Sequence, residues 1–192
     1  FWIGIMSNVY HRLINIKDNF LNEDDFLKLK DLITSQDFCW HIATINSPEY
    51  TDLIEDKSLR KKVEDSMCNE VDDYQLVHMF YHQEEPKSTY FPEYVKPIYE
   101  RLDIKSLIRI KANLNPRTEK NIMAGYHQDT WTGTYTSVFY INTNNGYTQF
   151  MDGSTVKSVE NRMITFPSHY FHSGVSCTDK KYRIVMNFNY FK

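Results

Sequence analysis

The sequence predicts a mainly β fold, a sandwich or barrel of short strands with helices covering one face. From about residue 105 onward, short segments of β-type sequence follow one another with turn sequences between them. Aromatic residues, which favour strands, make up 15 % of the chain. The first hundred residues instead contain helical patterns, and we expect these helices to cover the sheet.

The length of 192 residues fits a single domain, 1–192. Residues 1–103 are expected to supply mostly helical support and loops, and residues 104–192 the β core. The clearest helix lies within 22–36, where Phe26 and Ile33 keep helical spacing and Asn22 can cap the N-terminus. The stretch 90–102 predicts a further short helix.

The β core is predicted from seven short segments and the turns between them. NTNNGYT, residues 142–148, is the strongest turn sequence among them. The predicted strand segments are SLIRIKANLN, NIMAGYHQD, TYTSVFYINT, GYTQFMD, STVKSVE, NRMITFPS and KYRIVMNFNYF.

The last of these segments has two chemically different faces. Its even positions, from Ile184 to Tyr190, are apolar, whereas Arg183, Asn187 and Asn189 lie on the odd face. The even face requires a hydrophobic cover. The odd face is either exposed to water or lines a barrel interior that binds a polar ligand.

Composition excludes several classes of function. The net charge is −3 without a long basic run, which argues against a non-specific nucleic-acid binder. No run approaches the roughly 18 apolar residues of a membrane span. Three widely spaced cysteines form no zinc or disulfide pattern, and FWIGIM is too short for a secretory signal, so we expect a cytoplasmic protein.

The segment AGYHQDTW, residues 124–131, contains the first chemically suggestive pair. His127 and Asp129 are two positions apart, so on a strand both side chains point to the same face. His172 follows in TFPSHYFHSG, and Arg183 comes eleven residues after it. Two histidines and one carboxylate on one face of a metal leave coordination positions open, an arrangement typical of non-haem Fe(II) oxygenases.

These motifs resemble the Fe(II)/2-oxoglutarate-dependent dioxygenases, and within them the prolyl 4-hydroxylase-like group of small bacterial and marine-phage type. The resemblance is carried by HQD, VFYINTNNG, RMITFP, HSG and KYRIVMNFNYF, in that order, across residues 105–192. It implies a double-stranded β-helix, the jelly roll of cupins, built from two four-stranded sheets with the N-terminal helices against the larger one.

The resemblance also implies roles for particular residues. His127, Asp129 and His172 would bind Fe(II), and Arg183 would pair with the distal carboxylate of 2-oxoglutarate. Tyr140 would assist that arginine. Asn187 and Asn113 would be further cosubstrate residues. The family reaction uses O2, converts 2-oxoglutarate to succinate and CO2, and hydroxylates an unactivated C–H bond.

The resemblance to prolyl hydroxylases favours a prolyl residue in a peptide or protein as the substrate. Trp131 and Tyr135, within the loop 129–135, are expected to contact it, and the segment 82–91 is expected to form another wall of the site. The alternatives are the same chemistry on a free amino acid, nucleobase or other small molecule, or a cupin-like binding module without catalysis. Neither a nucleic-acid nor a membrane partner is expected.

Simpler interpretations of the same residues remain open at this stage. His127 and Asp129 can form a surface ion pair, and Lys180 or Lys181 can compete with Arg183 for the cosubstrate. His78 and His82 have the i, i+4 spacing of a helical zinc site. No third ligand accompanies them, so we interpret these two histidines as structural.

Overall fold

The computed structural model describes residues 13–46, 51–130 and 132–192. Within these residues, three helices are α1 (Glu23–Thr34), α2 (Lys57–Glu64) and α3 (Lys96–Tyr99), the last preceded by a π-helical turn at Phe91–Val95. The strands are β1 (Asn15–Lys17), β2 (His41–Ala43), β3 (Gln75–His82), β4 (Glu85–Pro86), β5 (Ser106–Pro116), β6 (Tyr135–Tyr140), β7 (Tyr147–Phe150), β8 (Thr155–Lys157), β9 (Arg162–Pro167), β10 (His172–Val175) and β11 (Tyr182–Phe191).

The larger sheet has the strand order β1-β9-β6-β11-β5-β3-β2, with β4 paired to β3. Strand β11 lies at its centre and is antiparallel to both β5 and β6. Because alternate residues of a strand face opposite sides, β11 contributes to the two sides of this sheet at once.

One side of the larger sheet packs against helix α1. The helix begins after Asn22, whose side chain accepts a hydrogen bond from the Asp25 backbone N–H, as the sequence predicts. Its apolar stripe of Phe26, Leu29 and Ile33 is buried in the same hydrophobic cluster as the even positions of β11. Burial of this stripe accounts for the position of α1, since it removes apolar surface of both elements from water.

The smaller sheet has the strand order β10-β7-β8. Its residues Phe150 and Val156 share a buried cluster with Val185, which lies on the odd side of β11. Helix α2 lies beside this sheet, where Lys62 Nζ donates to the Met151 carbonyl oxygen at 3.3 Å. The predicted jelly roll is confirmed, but the two sheets are unequal, and α2 does not join α1 against the larger sheet.

Two predicted regions differ from the structure. The described part of residues 1–103 supplies strands β1 to β4 as well as helices and loops; β1 and β2 are only three residues long and are largely exposed, so their sequences carry little periodicity. The segment NIMAGYHQD is not a regular strand, and it pairs with β10 through two isolated bridges, at Met123 and His127. Gly125 between them has φ +129°, which interrupts the ladder.

No helix in the described ranges is long and apolar enough to cross a membrane.

Candidate metal and cosubstrate site

The two predicted metal-binding histidines face each other across a pair of backbone hydrogen bonds. His127 N–H donates to the His172 carbonyl, and His172 N–H donates to the His127 carbonyl, both at 3.0 Å. Residues paired in this way in antiparallel structure project their side chains to the same side. The ring centroids are accordingly 4.6 Å apart.

Each imidazole is fixed in orientation by a backbone carbonyl two residues earlier in the chain. His127 Nδ1 lies 3.2 Å from the Gly125 carbonyl oxygen, and His172 Nδ1 lies 2.9 Å from that of Tyr170. These contacts assign the proton of each neutral ring to Nδ1, so the lone pair of each ring is on Nε2. Metal-binding histidines in proteins are oriented by such contacts.

The Asp129 carboxylate completes the group. Its Oδ1 lies 3.8 Å from His127 Nε2 and its Oδ2 lies 3.6 Å from His172 Nε2. One ligand atom from each residue lies within 4.8 Å of the others, the arrangement expected for residues that can share one metal ion. The structure therefore brings together all three residues predicted to bind the metal.

Asp129 also belongs to a closed ring of polar contacts. Arg109 Nη2 lies 3.3 Å from Asp129 Oδ1, and Arg109 Nε donates to Asn189 Oδ1 at 3.0 Å. Asn189 Nδ2 donates to the Thr136 hydroxyl at 3.0 Å, and that hydroxyl donates to Asp129 Oδ2 at 2.9 Å. Both carboxylate oxygens are thus held by side chains of the larger sheet, one by Arg109 of β5 and the other by Thr136 of β6.

The electrostatics of the group favour metal-binding protonation states. Burial, and secondly the neighbouring His172, lower the pKa of His127 to about 4, so its imidazole is neutral near pH 7. Burial alone would raise the pKa of Asp129. The electrostatic effects of His172 and His127, then that of Arg109, and the hydrogen bond from Thr136 outweigh burial and hold the pKa of Asp129 below its usual value.

Arg183 lies at the other end of the same cavity, and only 3 % of its surface is exposed. Its Nε donates to the Ser158 hydroxyl at 3.0 Å and its Nη2 to the Thr148 hydroxyl at 3.1 Å. The guanidinium carbon is 5.6 Å from the centre of the Tyr140 ring, and the Tyr140 hydroxyl lies 2.7 Å from the Thr148 hydroxyl. Lys180 and Lys181, the two competing cations, are both exposed.

Tyr140 thus contacts Arg183 through its ring and Thr148 through its hydroxyl, and Thr148 is the residue of this pair that lines the cavity. The cavity has a volume of about 300 Å³ and extends from the histidines to Arg183. The Oδ1 atoms of Asn113 and Asn187 are buried at its wall and have no hydrogen-bond partner among the described residues. Both asparagines were predicted to lie here.

Lys111 lies on the same wall, on β5 opposite Asn187 of β11. Among the described residues, no hydrogen bond or ion pair joins its Nζ to another protein atom. Burial, and secondly the charge of Arg109, lower the pKa of Lys111 to about 8. The charge of Asp129 opposes this shift by a smaller amount, but among the described residues no ion pair at contact distance joins the Asp129 carboxylate to the Lys111 ammonium group, which lines the cavity.

The predicted substrate contacts are not supported by these positions. Tyr135 does not line the cavity: its ring stacks on Tyr190 with centroids 6.3 Å apart and packs against the helix-covered cluster. Strand parity explains the correction, because the neighbouring Thr136 and Val138 point to the cavity side and Tyr135 to the other side. Trp131 lies outside the described residues.

The predicted wall from residues 82–91 is also corrected. This segment turns at Gln83 and Glu84, both with positive φ, and contributes nothing to the described lining of the cavity. Ile45, Asn46 and Met67, from the described part of the first hundred residues, do line the cavity.

His78 is structural, as interpreted from the sequence, and lies on a strand. Its Nδ1 is 2.8 Å from the Cys39 carbonyl oxygen and its Nε2 is 2.9 Å from the Ser88 hydroxyl. Both ring nitrogens are therefore occupied.

Sequence reasoning missed Arg109, Lys111 and Thr148. A signal was present for the first two, because from residue 108 to residue 115 the odd positions of SLIRIKANLN are polar and the even positions are apolar. The alternation that identified Arg183 on the last strand identifies Arg109 and Lys111 on β5 in the same way. Thr148 carried no comparable signal, since a threonine in a short strand is common for reasons of packing.

Comparison with known proteins shows a shared fold at low sequence identity. No family model and no curated protein sequence matches the chain. Among solved structures, a Trichoplax adhaerens prolyl hydroxylase in complex with a hypoxia inducible factor peptide has a TM-score of 0.56 and 11 % identity, covering 98 % of this chain and 90 % of that one. The chain has the fold of these oxygenases.

Two further structures extend the similarity. A Pseudomonas putida prolyl-4-hydroxylase has a TM-score of 0.51 and 12 % identity, covering 99 % of this chain and 98 % of that one. The non-heme α-ketoglutarate-dependent epimerase SnoN from nogalamycin biosynthesis has a TM-score of 0.57 and 9 % identity, covering 99 % and 82 %. The resemblance predicted from the motifs is thereby confirmed at the level of the fold, which is shared by enzymes of different outcome.

The residues present fit the metal and cosubstrate that the fold implies. Nitrogen and oxygen donors without a thiolate suit Fe(II), and both Nε2 lone pairs face the same carboxylate. At the other end of the cavity, Arg183 offers a buried guanidinium suited to a carboxylate. On the wall between the two ends, the Oδ1 atoms of Asn113 and Asn187 lack a hydrogen-bond partner among the described residues.

Proposed function

We propose that this protein is an Fe(II)- and 2-oxoglutarate-dependent dioxygenase that hydroxylates an unactivated C–H bond. One observation carries the proposal: the convergence of His127, Asp129 and His172 at one end of a cavity that has Arg183 at its other end. A surface ion pair explains neither the Nδ1 contacts that free both Nε2 atoms nor the buried arginine.

Each residue has a defined task in this proposal. His127, Asp129 and His172 would hold Fe(II), and the Gly125 and Tyr170 carbonyls keep the two imidazoles turned toward it. Arg183 would bind the distal carboxylate of 2-oxoglutarate, with its orientation fixed by Ser158 and Thr148. Asn113 and Asn187, on the cavity wall, would donate from their side-chain amide N–H groups to oxygens of the cosubstrate.

When bound, iron would activate O2, the oxidant, and 2-oxoglutarate would be oxidised to succinate and CO2 as the substrate is hydroxylated. The protein contributes binding, orientation and exclusion of water. The Asp129 carboxylate is ionised and held by Arg109 and Thr136, so a metal displaces no proton from it near pH 7. The low pKa of His127 keeps that ring available as a neutral ligand.

The proposed substrate is a prolyl residue of a peptide or protein, and the hydroxylase neighbours support this choice. One of those neighbours is described with a bound peptide. A small molecule is the second candidate, because the cavity of about 300 Å³ is at the lower end of the size of ligand pockets, roughly 300–1,000 Å³. The free thiols Cys39, Cys68 and Cys177 support a cytoplasmic location.

The decisive experiment is anaerobic addition of Fe(II) and then 2-oxoglutarate to metal-free protein. We expect the visible charge-transfer band of a chelated 2-oxo acid, followed by slow succinate formation when oxygen is admitted. Folded protein that gives neither band nor succinate would refute the oxygenase. A non-catalytic cupin-like module is distinguished by Asp129→Ala, which should abolish turnover in an enzyme and leave ligand affinity intact in a binding module.

Substitution of single ligands provides the internal control. His172→Ala and His127→Ala should each abolish the band. His169→Ala should retain it, because His169 lies in the turn after β9 and is not part of the three-residue group. Circular dichroism must show that each variant is folded.

A further inference from the structure

Charge in the cavity is not balanced by the proposed iron and cosubstrate. Among the described residues that line it, the cationic side chains are those of Arg109, Lys111 and Arg183, whereas Asp129 is the single carboxylate. The pocket therefore has an excess of two positive charges when both histidines are neutral. A divalent metal and the dianion of 2-oxoglutarate cancel each other, so loading the site leaves this excess unchanged.

The three cations differ in how far the protein already satisfies them. Arg183 has two hydroxyl acceptors at the deep end, and Arg109 contacts the carboxylate of Asp129 and the amide of Asn189. Lys111 has no hydrogen-bond or ion-pair partner in the described ranges. A charged group that is partly removed from water costs free energy unless an opposite charge meets it, so Lys111 is the cation with an open place for an anion.

The position of Lys111 separates it from the predicted cosubstrate anchor. Along β5, Lys111 is paired with Asn187 of β11, whereas Asn115 is the residue opposite Arg183. Lys111 and Arg109 are two positions apart and share one face, so their Cα atoms are about 6.6 Å apart along the strand. Both lie toward the end of the cavity that holds Asp129, which is where a substrate C–H bond must approach.

The geometry points to a second anion site: Lys111, with Arg109 beside it, binds a carboxylate of the substrate. This inference rests on the proposed oxygenase function and narrows its substrate to a molecule that carries a negative charge near the reacting carbon. Two sources offer that chemistry, namely the α-carboxylate of a free amino acid and the side chain of an acidic residue next to the target in a peptide. A peptide with neutral flanking residues does not fit.

This arrangement of cations should both attract anionic substrates and select for them. A cleft lined by one sign of charge concentrates ligands of the opposite sign, and salt screens the effect. A neutral analogue of the substrate would leave Lys111 without a partner, so the enzyme should discriminate against it more strongly than loss of a few contacts explains.

The test compares matched pairs of compounds that differ only in the charge of the carboxyl group. Wild-type protein, Lys111→Met, Lys111→Arg and the exposed control Lys181→Met are loaded with Fe(II) and 2-oxoglutarate, and succinate formation is measured. One arm uses the twenty free L-amino acids, each with its amide. The other arm uses N-acetylated, C-amidated Gly-Pro-Glu and Gly-Pro-Gln peptides.

We expect at least one free acid, or the Glu peptide, to stimulate succinate formation about tenfold more than its neutral partner. Lys111→Met should raise KM for that compound about tenfold and remove the discrimination, while the affinity for 2-oxoglutarate, from the anaerobic band, changes less than about threefold. Lys111→Arg should retain part of the discrimination, and Lys181→Met all of it. The arm that responds identifies the source of the carboxylate.

Three results would overturn the inference in protein that shows the band. The first is that the neutral peptide stimulates succinate formation as strongly as any acidic compound. The second is that no acidic compound stimulates it more than its amide or glutamine partner. The third is that Lys111→Met weakens 2-oxoglutarate binding about tenfold. The last result would assign the lysine to the cosubstrate. Absence of the band from the wild-type protein is different, since it refutes the oxygenase itself.

Discussion

Arg109 Nη2 lies 3.3 Å from Asp129 Oδ1, although the two residues are twenty positions apart and only Asp129 belongs to the recognisable motif. The contact closes a ring that also includes Asn189 and Thr136. A carboxylate held at both oxygens has little freedom to rotate. The direction in which Asp129 presents its charge is therefore set by the larger sheet, and the loop that carries Asp129 needs to supply only its position.

Replacing Arg109 should weaken metal binding without removing a metal ligand. In Arg109→Gln, Asp129 loses its permanent cationic neighbour and one of its fixed contacts, and we expect metal affinity to fall about 10- to 100-fold, the range typical of outer contacts to metal ligands. Competition with a chromophoric chelator measures the affinity. Arg117→Gln, a change on the exposed surface, is the control, and equal affinities in the two variants would contradict the role given to Arg109.

The buried hydroxyl pair of Tyr140 and Thr148 should be strongly coupled. Thr148→Val leaves the Tyr140 hydroxyl without its partner in a fully buried position, so we expect a loss of about 1–3 kcal/mol in the free energy of unfolding, together with weaker 2-oxoglutarate binding. Urea denaturation and titration of the anaerobic band measure the two effects.

A double-mutant cycle isolates this contact. Tyr140→Phe combined with Thr148→Val removes both polar groups, so the double variant should be less destabilised than the sum of the two single variants. Additive losses would show that the hydroxyl pair contributes nothing of its own.

Gly146 should not tolerate a methyl group. A Cβ there would lie 2.7 Å from the Val175 carbonyl oxygen and 2.9 Å from Arg183 Cδ, and the backbone atom cannot move away cheaply. We expect Gly146→Ala to lower the free energy of unfolding by about 1–3 kcal/mol and to weaken 2-oxoglutarate binding by displacing the arginine. Gly174→Ala is the matched comparison, because its nearest neighbour would be Arg183 Nη1 at 3.4 Å; equal losses would contradict the steric explanation.

The ion pair between Asp18 and Arg162 should give stability a pH dependence of known sign. Arg162 Nε and Nη2 contact the two Asp18 oxygens at 2.6 and 2.9 Å, and hydrogen bonding to Arg162 lowers the pKa of Asp18. A lowered pKa means that the stabilisation is complete above the ordinary value of about 3.9 and is lost as the pH falls through the folded-state value.

Asp18→Asn should therefore cost about 0.2–1 kcal/mol at pH 7, since the pair is exposed, and progressively less toward pH 2. Urea titrations across that range measure the difference. Asp37→Asn, at an exposed carboxylate without an ion pair in the described ranges, should show no such trend. A difference that grows on acidification would have the wrong sign.

Much of the architecture was predictable because sheet residues alternate. The parity of the last strand separated Arg183 and Asn187 from the residues that pack against α1, and the structure places those two on the cavity wall. The helix within 22–36 was predictable for a similar reason, since its apolar spacing and Asn22 cap are both local.

The remaining features depend on contacts distant in sequence. His127 pairs with His172, which lies on strand β10, more than forty residues later in the sequence. Gly125, with its positive φ, interrupts the regular strand that the pattern predicts. Tyr135 was assigned to the substrate because of its place after the motif, whereas its parity directs it to the other side of the sheet. Applying the alternation of side chains to strand β6 as well would have corrected this assignment.

Strand β11 has a consequence for how the protein can vary. Deleting one residue near its start would bring apolar side chains to the cavity and asparagines to the helix α1, because every later residue would change sides. The cavity lining and the packing against helix α1 would therefore be lost together. Natural variants should accordingly differ along this strand by substitution and keep its length, while insertions and deletions accumulate in the turns, where no side chain serves both purposes.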